Sequence, residues 1–295
     1  MRIAVTGAAG FVGGAVCHVA HAAGHEVFPL SRREWDVTAG PLPYPPKVDA
    51  VVHAAAAVTD WGPAAPIWRV NLRGTGNVLR TFPNTRLVHI STASVYDPFT
   101  PTVNAPESLG PVTRYLNAYA ASKAAAERLL AGVPDAIILR PHAVYGPGDP
   151  ILLPRVLRAI RRDSLFIVGD GTTLQSLTSI DNLVAATLLA CQPRSPAGIY
   201  NIADAEPIRI ERALRMLMDE RGLDVRIRHL PARPLWTIAP TVERAWRLAG
   251  SRTAPRLTRY AISHLAMERT LDLTAARERL GFRPGPTSFQ GAGGW

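Results

Sequence analysis

The sequence predicts an α/β fold: a doubly wound parallel sheet with a smaller C-terminal lobe that binds the substrate. Two observations carry this prediction. Short runs of β-branched residues alternate with longer helical patterns over the first half of the 295-residue chain, and helical crossovers are typical of a parallel sheet covered on both faces. A glycine-rich segment directly follows the first strand and opens the first helix, where such a sheet binds anionic ligands.

The individual elements are predicted in order along the chain. Strands are predicted at residues 2–6, 26–30, 49–53, 86–91 and 136–140, and helices at 11–23, 66–80 and 117–131. After residue 141, turns and prolines separate three further helical segments, at 151–162, 183–191 and 209–221. These patterns assign residues 1–150 and parts of 175–205 to the sheet domain, and residues 151–174 and 206–295 to the smaller lobe.

Two segments are predicted to lack regular structure. Four prolines between residues 41 and 46 disfavour a full helix between Asp36 and Asp49, so a loop is expected there. The last eleven residues, 285–295, show no periodicity and are predicted to form a tail in place of an amphipathic final helix. The substrate lobe is therefore expected to be open, or to be completed by a partner subunit.

Composition limits the class of protein. Hydrophobic residues make up 47% of the chain and charged residues 19%, which excludes general disorder. The net charge is +10, but only Lys47 and Lys123 are lysines, and the arginines are scattered rather than clustered. We interpret this charge as a compositional bias that aids solubility, and we expect no nucleic-acid partner.

The cysteines and the apolar segments predict a cytoplasmic location. Cys17 and Cys191 both lie in apolar, helix-like stretches, so no disulfide framework is expected. The N-terminal apolar run is broken by glycines, and no later run is long enough to span a bilayer, so no membrane association is expected. His18 and His21 share a helix face but lack a third partner, so no metal site is predicted.

The segment TGAAGFVG at residues 6–13 predicts a dinucleotide site. Glycines at 7, 10 and 13 allow a tight turn, a close backbone approach to a pyrophosphate, and close packing of the helix on the sheet. The start of the helix supplies free N–H groups and a favourable dipole. A glycine-rich turn without a ligand is the alternative, but the strand before the segment and the helix after it favour the dinucleotide.

The end of the second strand favours NADP(H) over NAD(H). An acidic residue there commonly binds the ribose hydroxyls of NAD. Here the strand runs into Ser31, Arg32 and Arg33, with no acid before Glu34. A guanidinium group binds phosphate in a bidentate fork, which suits the ribose phosphate of NADP(H). The alternative is that the arginines are merely exposed. Asp36, just before Val37, is the candidate for the adenine edge.

The segment YAASK at residues 119–123 predicts a catalytic pair. Tyr119 and Lys123 are four residues apart, so on a helix they share one face. A nearby ammonium group stabilises a phenolate and should lower the pKa of Tyr119. A chance match is the alternative for so short a pattern. Upstream, Ser91, Thr92 and Ser94 end a strand, where a hydroxyl can bind the carbonyl oxygen that the tyrosine protonates.

The combined motifs resemble the extended short-chain dehydrogenase/reductase family, the NAD-dependent epimerase/dehydratase superfamily. The resemblance implies a Rossmann-type sheet, a nicotinamide cofactor, and a catalytic triad of Thr92, Tyr119 and Lys123. Tyr119 would exchange the proton, Lys123 would bind the nicotinamide ribose, and Thr92 would hold the substrate oxygen. The matching segments are TGAAGFVG at 6–13, HAAA at 53–56, NLRGTGNVL at 71–79, STASVY at 91–96, YAASK at 119–123 and LRPHAVYGPGD at 139–149.

The resemblance also implies the remaining contacts of the cofactor. Residues 141–144 would border the nicotinamide, and residues 54–56 would border the adenosine side. The full cofactor-binding set that we predict is Gly7, Ala9, Gly10, Phe11, Val12, Gly13, Ser31, Arg32, Arg33, Asp36, Val37, Ala54, Ala55, Ala56, Asn71, Ile90, Tyr119, Lys123, Pro141, His142, Ala143 and Val144.

Within that family, two branches compete for the substrate. Residues 60–63, 174–182 and 259–284 resemble the 3β-hydroxysteroid dehydrogenase-like branch, which interconverts ketones and alcohols on apolar substrates. The rival branch comprises nucleotide-sugar epimerases, dehydratases and 4-keto-sugar reductases, many of which carry an arginine where this chain has Gln175. We favour the apolar substrate. The predicted substrate-binding residues are Trp61, Thr92, Ala93, Ser94, Val144, Leu153 and Gln175.

A third hypothesis is a non-catalytic regulator that senses NADP. Such family members typically lose the tyrosine of the pair, whereas this chain has both Tyr119 and Lys123. A homodimer is also expected, because family members often pair through the helices predicted at 66–80 and 117–131. The alanines at 120, 121, 124, 125 and 126 would allow the helices to approach closely. The expected partner besides this second copy is a small-molecule substrate.

Overall fold

The computed structural model describes residues 1–251 and 253–295 of the chain. Up to Pro141 it contains six strands and four α-helices. In chain order these are β1 (Arg2–Thr6), α1 (Phe11–Ala22), β2 (Glu26–Leu30), β3 (Ala50–His53), α2 (Ala64–Trp68), α3 (Gly74–Thr81), β4 (Arg86–Ile90), β5 (Thr102–Ala105), α4 (Ala118–Leu130) and β6 (Ala136–Pro141).

Nine more strands and six more α-helices follow among the described residues of the second half. They are β7 (Val144–Tyr145), α5 (Leu152–Ala159), β8 (Ile160–Arg161), β9 (Ser164–Val168), β10 (Leu174–Gln175), β11 (Thr178–Ser179), α6 (Ile180–Cys191), β12 (Gly198–Ile202), β13 (Ile208–Arg209), α7 (Ile210–Glu220), β14 (Arg226–Leu230), α8 (Ala232–Leu248), α9 (Arg259–Ala266), β15 (Arg269–Leu271) and α10 (Thr274–Arg279).

A six-stranded parallel sheet lies at the centre of the molecule, in the order β12-β6-β4-β3-β1-β2. The chain runs outward from β1 to β2 and then continues on the other side of β1 with β3. The strand order therefore reverses at β1, and the crevice beyond the carboxyl ends of β1 and β3 is where sheets of this topology bind ligands. The predicted doubly wound α/β fold is confirmed.

Alternate residues of the central strands face opposite helical layers, as the two-residue period of a strand requires. Ile3 and Val5 pack in the cluster that contains residues of α1 and α6, whereas Ala4 packs in the cluster with α3 and the end of α4. All four residues of β3 are buried. Burial on both faces explains why these strands contain almost continuous apolar runs.

The helical segment before β4 contains a turn of π-helix that the sequence pattern does not reveal. One helix was expected over residues 66–80. The structure instead places a π-helical turn, Arg69–Arg73, between α2 and α3. This turn buries Asn71, and such turns frequently occur at functional sites.

The loop predicted around residues 41–46 is confirmed, since residues 36–49 contain only turns and bends. Two buried apolar side chains cover the sheet and α3 where a crossover helix would lie. Trp35 packs edge-on against Phe82, and its indole nitrogen donates to the Gly40 carbonyl at 3.0 Å. Val37 lies in the same apolar cluster.

The helix expected over residues 151–162 is shorter than predicted. It ends at Ala159, and Ile160–Arg161 pair antiparallel with β9. The turn between the two strands holds Arg162 at a φ of 52°. The hairpin places Leu165 in an apolar cluster with Leu214 of α7, so tertiary burial outweighs the helical periodicity that extends to Arg162.

The second half also forms small sheets of its own, in the orders β13-β10-β15-β5, β14-β9-β8 and β11-β7. Strand β5 comes from the first half of the chain, and β12 from the second half completes the large sheet. The domain boundaries near residues 150, 175 and 205 stay predictions.

The predicted C-terminal tail lacks a regular helix, and its residues pack onto the protein. The backbone is irregular apart from a short 3-10 turn at Ala292–Gly294, but Phe289 and Ala292 are buried. The Tyr145 ring lies 4.9 Å from the ring of Phe289, and its hydroxyl accepts from the Ser288 amide at 3.1 Å. Such contacts involve residues far apart in sequence and leave no periodic pattern.

A buried ion pair joins α4 to the sheet. Arg140 of β6 and Glu127 of α4 are 2.6 Å apart, and their side chains are 0% and 1% exposed. Arg140 also donates to the Tyr96 hydroxyl at 3.0 Å and to the carbonyls of Glu107 and Gly110 at 2.7 and 3.0 Å. These bonds satisfy most donors of the guanidinium group and fix the loop that precedes α4.

We predict that Arg140→Met lowers the free energy of unfolding by about 3–5 kcal/mol, because it leaves the Glu127 carboxylate buried without its partner. Urea denaturation measures this loss. The matched control is Arg226→Met, since the Arg226 side chain is 73% exposed and its nearest carboxylate, on Asp163, is 3.8 Å away. The control should change stability by about 0.5 kcal/mol or less. Equal effects in both variants would contradict a structural role for the buried pair.

Candidate active site

The glycine-rich loop brings three backbone segments into close contact at the switch point. Gly7 has a φ of +70°, and a Cβ on it would lie 2.7 Å from the Ala55 nitrogen. A Cβ on Gly13 would lie 2.3 Å from the Gly7 carbonyl oxygen. Helix α1 starts at Phe11 after Gly10, which has no side chain to cap it. The first N–H groups of α1 therefore face the crevice without an intrahelical partner, as an anion site needs.

A chain of buried polar groups supports this loop from behind. The His53 ring lies 2.8 Å from the Thr6 hydroxyl and 3.0 Å from the Thr75 hydroxyl, one at each ring nitrogen. Burial lowers the pKa of His53 to about 3, so the ring is neutral and has one donor and one acceptor nitrogen. Asn71 accepts from the Ala57 amide at 2.8 Å and donates to the Ser122 hydroxyl at 2.9 Å. These bonds fix residues 54–57 beside the glycine loop.

The residues after β2 have the exposure that a phosphate site requires. The side chain of Arg32 is 86% exposed and lies 3.4 Å from the Asp36 carboxylate. Arg33 is exposed as well. The Ser31 hydroxyl and amide both donate to Glu34, so the acid that follows the arginines holds the turn. Asp36 accepts from the Thr38 amide at 2.9 Å, which lowers the pKa of its carboxyl.

Helix α4 carries the predicted catalytic pair. It begins after Asn117, whose side chain accepts from the Ala120 amide at 2.9 Å. Lys123 is buried, and its ammonium nitrogen lies 2.5 Å from the Ile90 carbonyl oxygen and 3.2 Å from the His89 ring. Burial lowers the pKa of Lys123 to about 7, opposed in part by Glu127. The contacts with Ile90 and His89 hold the side-chain nitrogen of Lys123 at the carboxyl end of β4.

The pKa of Tyr119 differs from the sequence-based expectation. Burial raises the pKa of Tyr119, the second phenol Tyr260 raises it further, and a hydrogen bond with the Thr92 side chain lowers it. The expected lowering by Lys123 is wrong for the chain on its own, because burial dominates and the ammonium binds Ile90 and His89 instead. Thr92 itself accepts from the Ser94 amide at 3.1 Å, which fixes its hydroxyl at the start of a 3-10 turn.

A small cavity of about 20 Å³ lies between the segment that follows β4 and the start of α4. Its wall includes Ala93 and Ser94 after β4, Ala120 next to Tyr119, and a group from the smaller lobe: Tyr260, Ser263, His264 and Arg269. Sequence reasoning missed Tyr260, His264 and Arg269. Tyr260 and His264 are spaced i, i+4 on α9, which places them on one helix face, and that spacing was the one available signal.

His142, predicted to border the nicotinamide, lies in this cavity wall. Its Nδ1 is 2.9 Å from the Ser176 carbonyl oxygen, and its Nε2 is 3.1 Å from Nδ1 of His264. Burial lowers the pKa of His142 to about 4 and the pKa of His264 well below its ordinary value. Both rings are therefore neutral: His142 donates to Ser176 and accepts from His264. The neighbouring Ala143 has a φ of +47°, which is uncommon outside glycine.

The other predicted substrate-binding residues lie in different parts of the structure. The Trp61 side chain contacts the smaller lobe, where its indole nitrogen donates to the Ser251 carbonyl at 3.1 Å. Gln175 is buried in β10 and donates to the Met267 carbonyl at 2.9 Å, so its amide is already bound. Leu153 packs in the apolar cluster around Tyr145, and Val144 lies against the main core. Of the predicted set, Ala93 and Ser94 line the cavity.

Over the described ranges 1–251 and 253–295, no helix is both long and apolar enough to cross a membrane. In the same residues, no three histidine, cysteine, aspartate or glutamate side chains converge in a way that could hold a metal ion.

The chain is similar in sequence to several known proteins. The sequence profile of the NAD dependent epimerase/dehydratase family matches residues 3–203. A 2-alkyl-3-oxoalkanoate reductase of Shewanella oneidensis is 31% identical over 94% of this chain and 81% of its own length. A protein of the same name from Stenotrophomonas maltophilia is 31% identical over 96% and 95%. A 3beta-hydroxysteroid-dehydrogenase/decarboxylase of Arabidopsis thaliana is 30% identical over 80% of this chain and 46% of its own length.

Solved structures share the fold. UDP-glucuronic acid 4-epimerase from Bacillus cereus, in complex with NAD, superposes with a TM-score of 0.73 at 22% identity, covering 99% of this chain and 96% of that one. RMD from Pseudomonas aeruginosa, complexed with NADPH, superposes with a TM-score of 0.70 at 21% identity, covering 97% and 95%. The likeness of these structures confirms the Rossmann-type sheet.

This chain belongs to the NAD-dependent epimerase/dehydratase family, the extended short-chain dehydrogenases/reductases. It is an NAD(P)-dependent oxidoreductase, as its relatives that are named reductases and dehydrogenases are. The cradle of Gly7, Gly10 and Gly13 fits a nicotinamide dinucleotide, because a side chain on Gly7 or Gly13 would fill the space where the backbone segments meet.

We predict that Gly13→Ala weakens NADPH binding by about tenfold or more, roughly 1.4 kcal/mol. The added methyl group would force α1 away from the Gly7 carbonyl and widen the cradle. A fluorescence titration with NADPH measures the loss. Gly132→Ala is the matched control, because a Cβ there has no atom within 4 Å. Unchanged affinity in Gly13→Ala would show that the dinucleotide does not bind at this loop.

Proposed function

We propose that the chain is an NADP(H)-dependent oxidoreductase that interconverts a ketone and a secondary alcohol on a mainly apolar substrate. One observation carries the proposal. Tyr119 and Lys123 lie one turn apart on α4, and the Lys123 nitrogen binds the Ile90 carbonyl at the end of β4, two residues before the Thr92 hydroxyl. This is the set of groups needed to bind a carbonyl oxygen and to exchange a proton with it.

The residues have distinct roles in the reducing direction. A nicotinamide cofactor held at Gly7, Gly10 and Gly13 would supply the hydride that the carbonyl carbon of the substrate accepts. Thr92 donates a hydrogen bond to the carbonyl oxygen and orients it. Tyr119 transfers its phenolic proton to that oxygen, so the product is a secondary alcohol. The raised pKa of Tyr119 keeps the phenol protonated at neutral pH, which suits its role as the acid.

We also propose that Lys123 binds the nicotinamide ribose and so completes the site. Its nitrogen lies at the end of β4, on the same helix face as Tyr119. An ammonium group there would favour the phenolate that remains after proton transfer. Asn71 and the π-helical turn hold residues 54–57 in place on the adenosine side.

Three observations support an apolar substrate over a nucleotide sugar. The named relatives at about 30% identity include 2-alkyl-3-oxoalkanoate reductases, whose named substrate class combines a ketone with alkyl chains. Gln175 stands where many nucleotide-sugar enzymes carry an arginine, and its amide is buried and bound. Arg155 of α5, a candidate for binding a diphosphate, pairs with Asp60 at 3.0 Å, so a carboxylate already compensates its charge.

A homodimer remains part of the proposal, through α2, α3 and α4. The alanines named for close approach divide between two surfaces. Ala120, Ala124 and Ala126 are buried within the chain itself, so they serve its own core. Ala121 and Ala125 are half-buried, and Leu129 on the same helix is 44% exposed, which leaves an apolar strip for a second copy.

Both cysteines are free thiols, which supports the reducing cytoplasm that we propose.

We predict that Tyr119→Phe reduces turnover by about 100- to 10,000-fold, because it removes the proton donor. NADPH affinity should change little, since the glycine loop and Lys123 remain to hold the dinucleotide when one hydroxyl is removed. Consumption of NADPH is followed with two panels of substrates. The first panel contains hydrophobic β-keto compounds, steroid ketones and aromatic aldehydes. The second panel contains 4-keto nucleotide sugars. Turnover confined to the sugars would overturn the apolar-substrate proposal, and full activity in Tyr119→Phe would overturn the mechanism.

We predict that Arg32→Ala weakens NADPH binding by about tenfold and NADH binding by much less, because only NADPH carries the ribose phosphate. Direct titration of both cofactors gives the ratio of the two dissociation constants. Arg226→Ala serves as the control for loss of a surface charge, since Arg226 lies on β14. If Arg32→Ala weakened both cofactors alike, the phosphate would not be bound by this residue.

A further inference from the structure

The hydroxyl groups at the site form two pairs rather than one. Thr92 and Tyr119 are the first pair. Ser94 and Tyr260 are the second, with their oxygens 3.0 Å apart. The Thr92 hydroxyl donates to the Ser94 hydroxyl at 3.2 Å, so the two pairs are adjacent. Tyr260 comes from α9 in the smaller lobe and lies outside the triad on which the proposed mechanism depends.

We propose that Ser94 and Tyr260 form a subsite for a second oxygen of the substrate. The preferred substrate then carries a hydrogen-bond acceptor close to the reacting ketone, as in a 3-oxo ester or 3-oxo acid. Hydroxyls 3.2 Å apart can each bind one of two oxygens attached to carbons that a single carbon separates. This inference rests on the proposed ketone reduction and deepens it by naming the substrate class.

The count of hydrogens shows that the second pair has a free donor. Ser94 and Tyr260 carry one hydroxyl hydrogen each, and only one of these hydrogens can lie between the two oxygens. Among the described residues, the Tyr260 hydroxyl has no other partner. When Ser94 donates to Tyr260, the phenolic hydrogen is left for an acceptor that the protein does not supply. A buried donor without an acceptor is costly, and a substrate oxygen would satisfy it.

The adjoining cavity has the size for an oxygen atom rather than an alkyl chain. Its volume of about 20 Å³ is close to the space that one water molecule requires. Ser94, Tyr260, His142 and His264 all contribute polar groups to its wall. A space of this size holds a carbonyl or carboxylate oxygen while the alkyl part of the substrate stays outside it.

The charge near the cavity also favours an oxygen acceptor. Arg269 is buried in the wall and donates to the carbonyls of Asp97, Pro98 and Thr100 at 2.8 to 3.1 Å. No carboxylate of the described residues lies within ion-pair distance of it. Burial lowers the pKa of Arg269 only to about 10, so the group stays charged at neutral pH. Arg269 also donates to the Thr102 and Ser263 hydroxyls, and Asp97 offsets part of its charge; the charge that remains attracts the negative end of a carbonyl dipole.

Tyr260 is held in position before any substrate arrives. Its ring packs on His264 with the centroids 4.3 Å apart. Helix α9 is capped by Thr258, which accepts from the Ala261 amide at 3.1 Å, and Arg259 bonds to buried Glu243 of α8 at 2.9 Å. A donor fixed in this way loses little conformational freedom when it binds a substrate oxygen.

The test compares two ketones with the same alkyl chain, methyl 3-oxodecanoate and 3-decanone. Calorimetry measures their affinities for the complex of the enzyme with oxidised NADP, in which no hydride is available and binding alone is observed. We expect the wild type to bind the 3-oxo ester at least about tenfold more tightly than the simple ketone. Tyr260→Phe, which keeps the ring on His264, should reduce that preference to about twofold or less.

Two further variants complete the experiment. Ser94→Ala should reduce the same preference for the 3-oxo ester. Thermal unfolding shows whether either variant is misfolded. If one variant is misfolded, the other still tests the subsite. Tyr44→Phe is the control, since Tyr44 is 94% exposed in the proline-rich loop, and it should keep the wild-type preference. Equal affinities for the two ketones in the wild type, or an unchanged preference in both Tyr260→Phe and Ser94→Ala, would overturn the subsite.

The readout separates this inference from the proposed function. Binding to the oxidised complex does not depend on turnover, so an enzyme that reduces neither ketone still reports on the subsite. The opposite result is also informative. If NADPH consumption depends on Tyr119 but the two ketones bind equally, the proposed ketone reductase activity stands and the proposed subsite for a second oxygen is wrong. The ratio of kcat/KM for the two ketones provides the corresponding kinetic measure in an active enzyme.

Discussion

The buried ion pair between Arg140 and Glu127 determines the geometry on which the candidate active site depends. Glu127 lies on α4, one turn after Lys123, and it also accepts from the hydroxyl of Ser91. Arg140 binds the hydroxyl of Tyr96. Ser91 and Tyr96 flank Thr92, so one pair of charges fixes both the helix with Tyr119 and the segment with the Thr92 hydroxyl. Two charges in an apolar interior are stable only when their hydrogen bonds are nearly complete, and this requirement makes the arrangement rigid.

Neutral histidines are the second organising element. His53, His89, His142 and His264 are all buried, and burial lowers the pKa of each ring. A neutral imidazole offers one donor and one acceptor on opposite sides, so it can connect two polar groups that no amide or hydroxyl would span. His53 connects two threonines below the cofactor loop, and His142 connects Ser176 to His264 behind the substrate cavity. Such rings resist protonation and keep a fixed polarity around the reacting atoms.

The sequence was sufficient where function depends on local pattern. The glycines at 7, 10 and 13, the strand that precedes them, and the spacing of Tyr119 and Lys123 are all properties of neighbouring residues, and the six-stranded sheet follows from the alternation of apolar runs. The missed features depend on contacts across long sequence distances. Tyr260 reaches Ser94 over 166 residues, the hairpin at Ile160 forms because Leu165 packs against α7, and the tail is ordered because Tyr145 binds it. The raised pKa of Tyr119 is also a property of burial, which short spacing rules do not capture.

The packing of residues 285–295 joins this segment to Tyr145 and to the residues that precede it. Tyr145 follows the segment 141–144 directly, and its hydroxyl both accepts from Ser288 and donates to Asp204 at 2.7 Å. Phe289 and Trp295 complete an aromatic cluster around the same ring. During synthesis Tyr145 and residues 141–144 therefore emerge long before the residues that pack against them. The nascent protein can acquire the final arrangement of this segment only after residues 285–295 have left the ribosome.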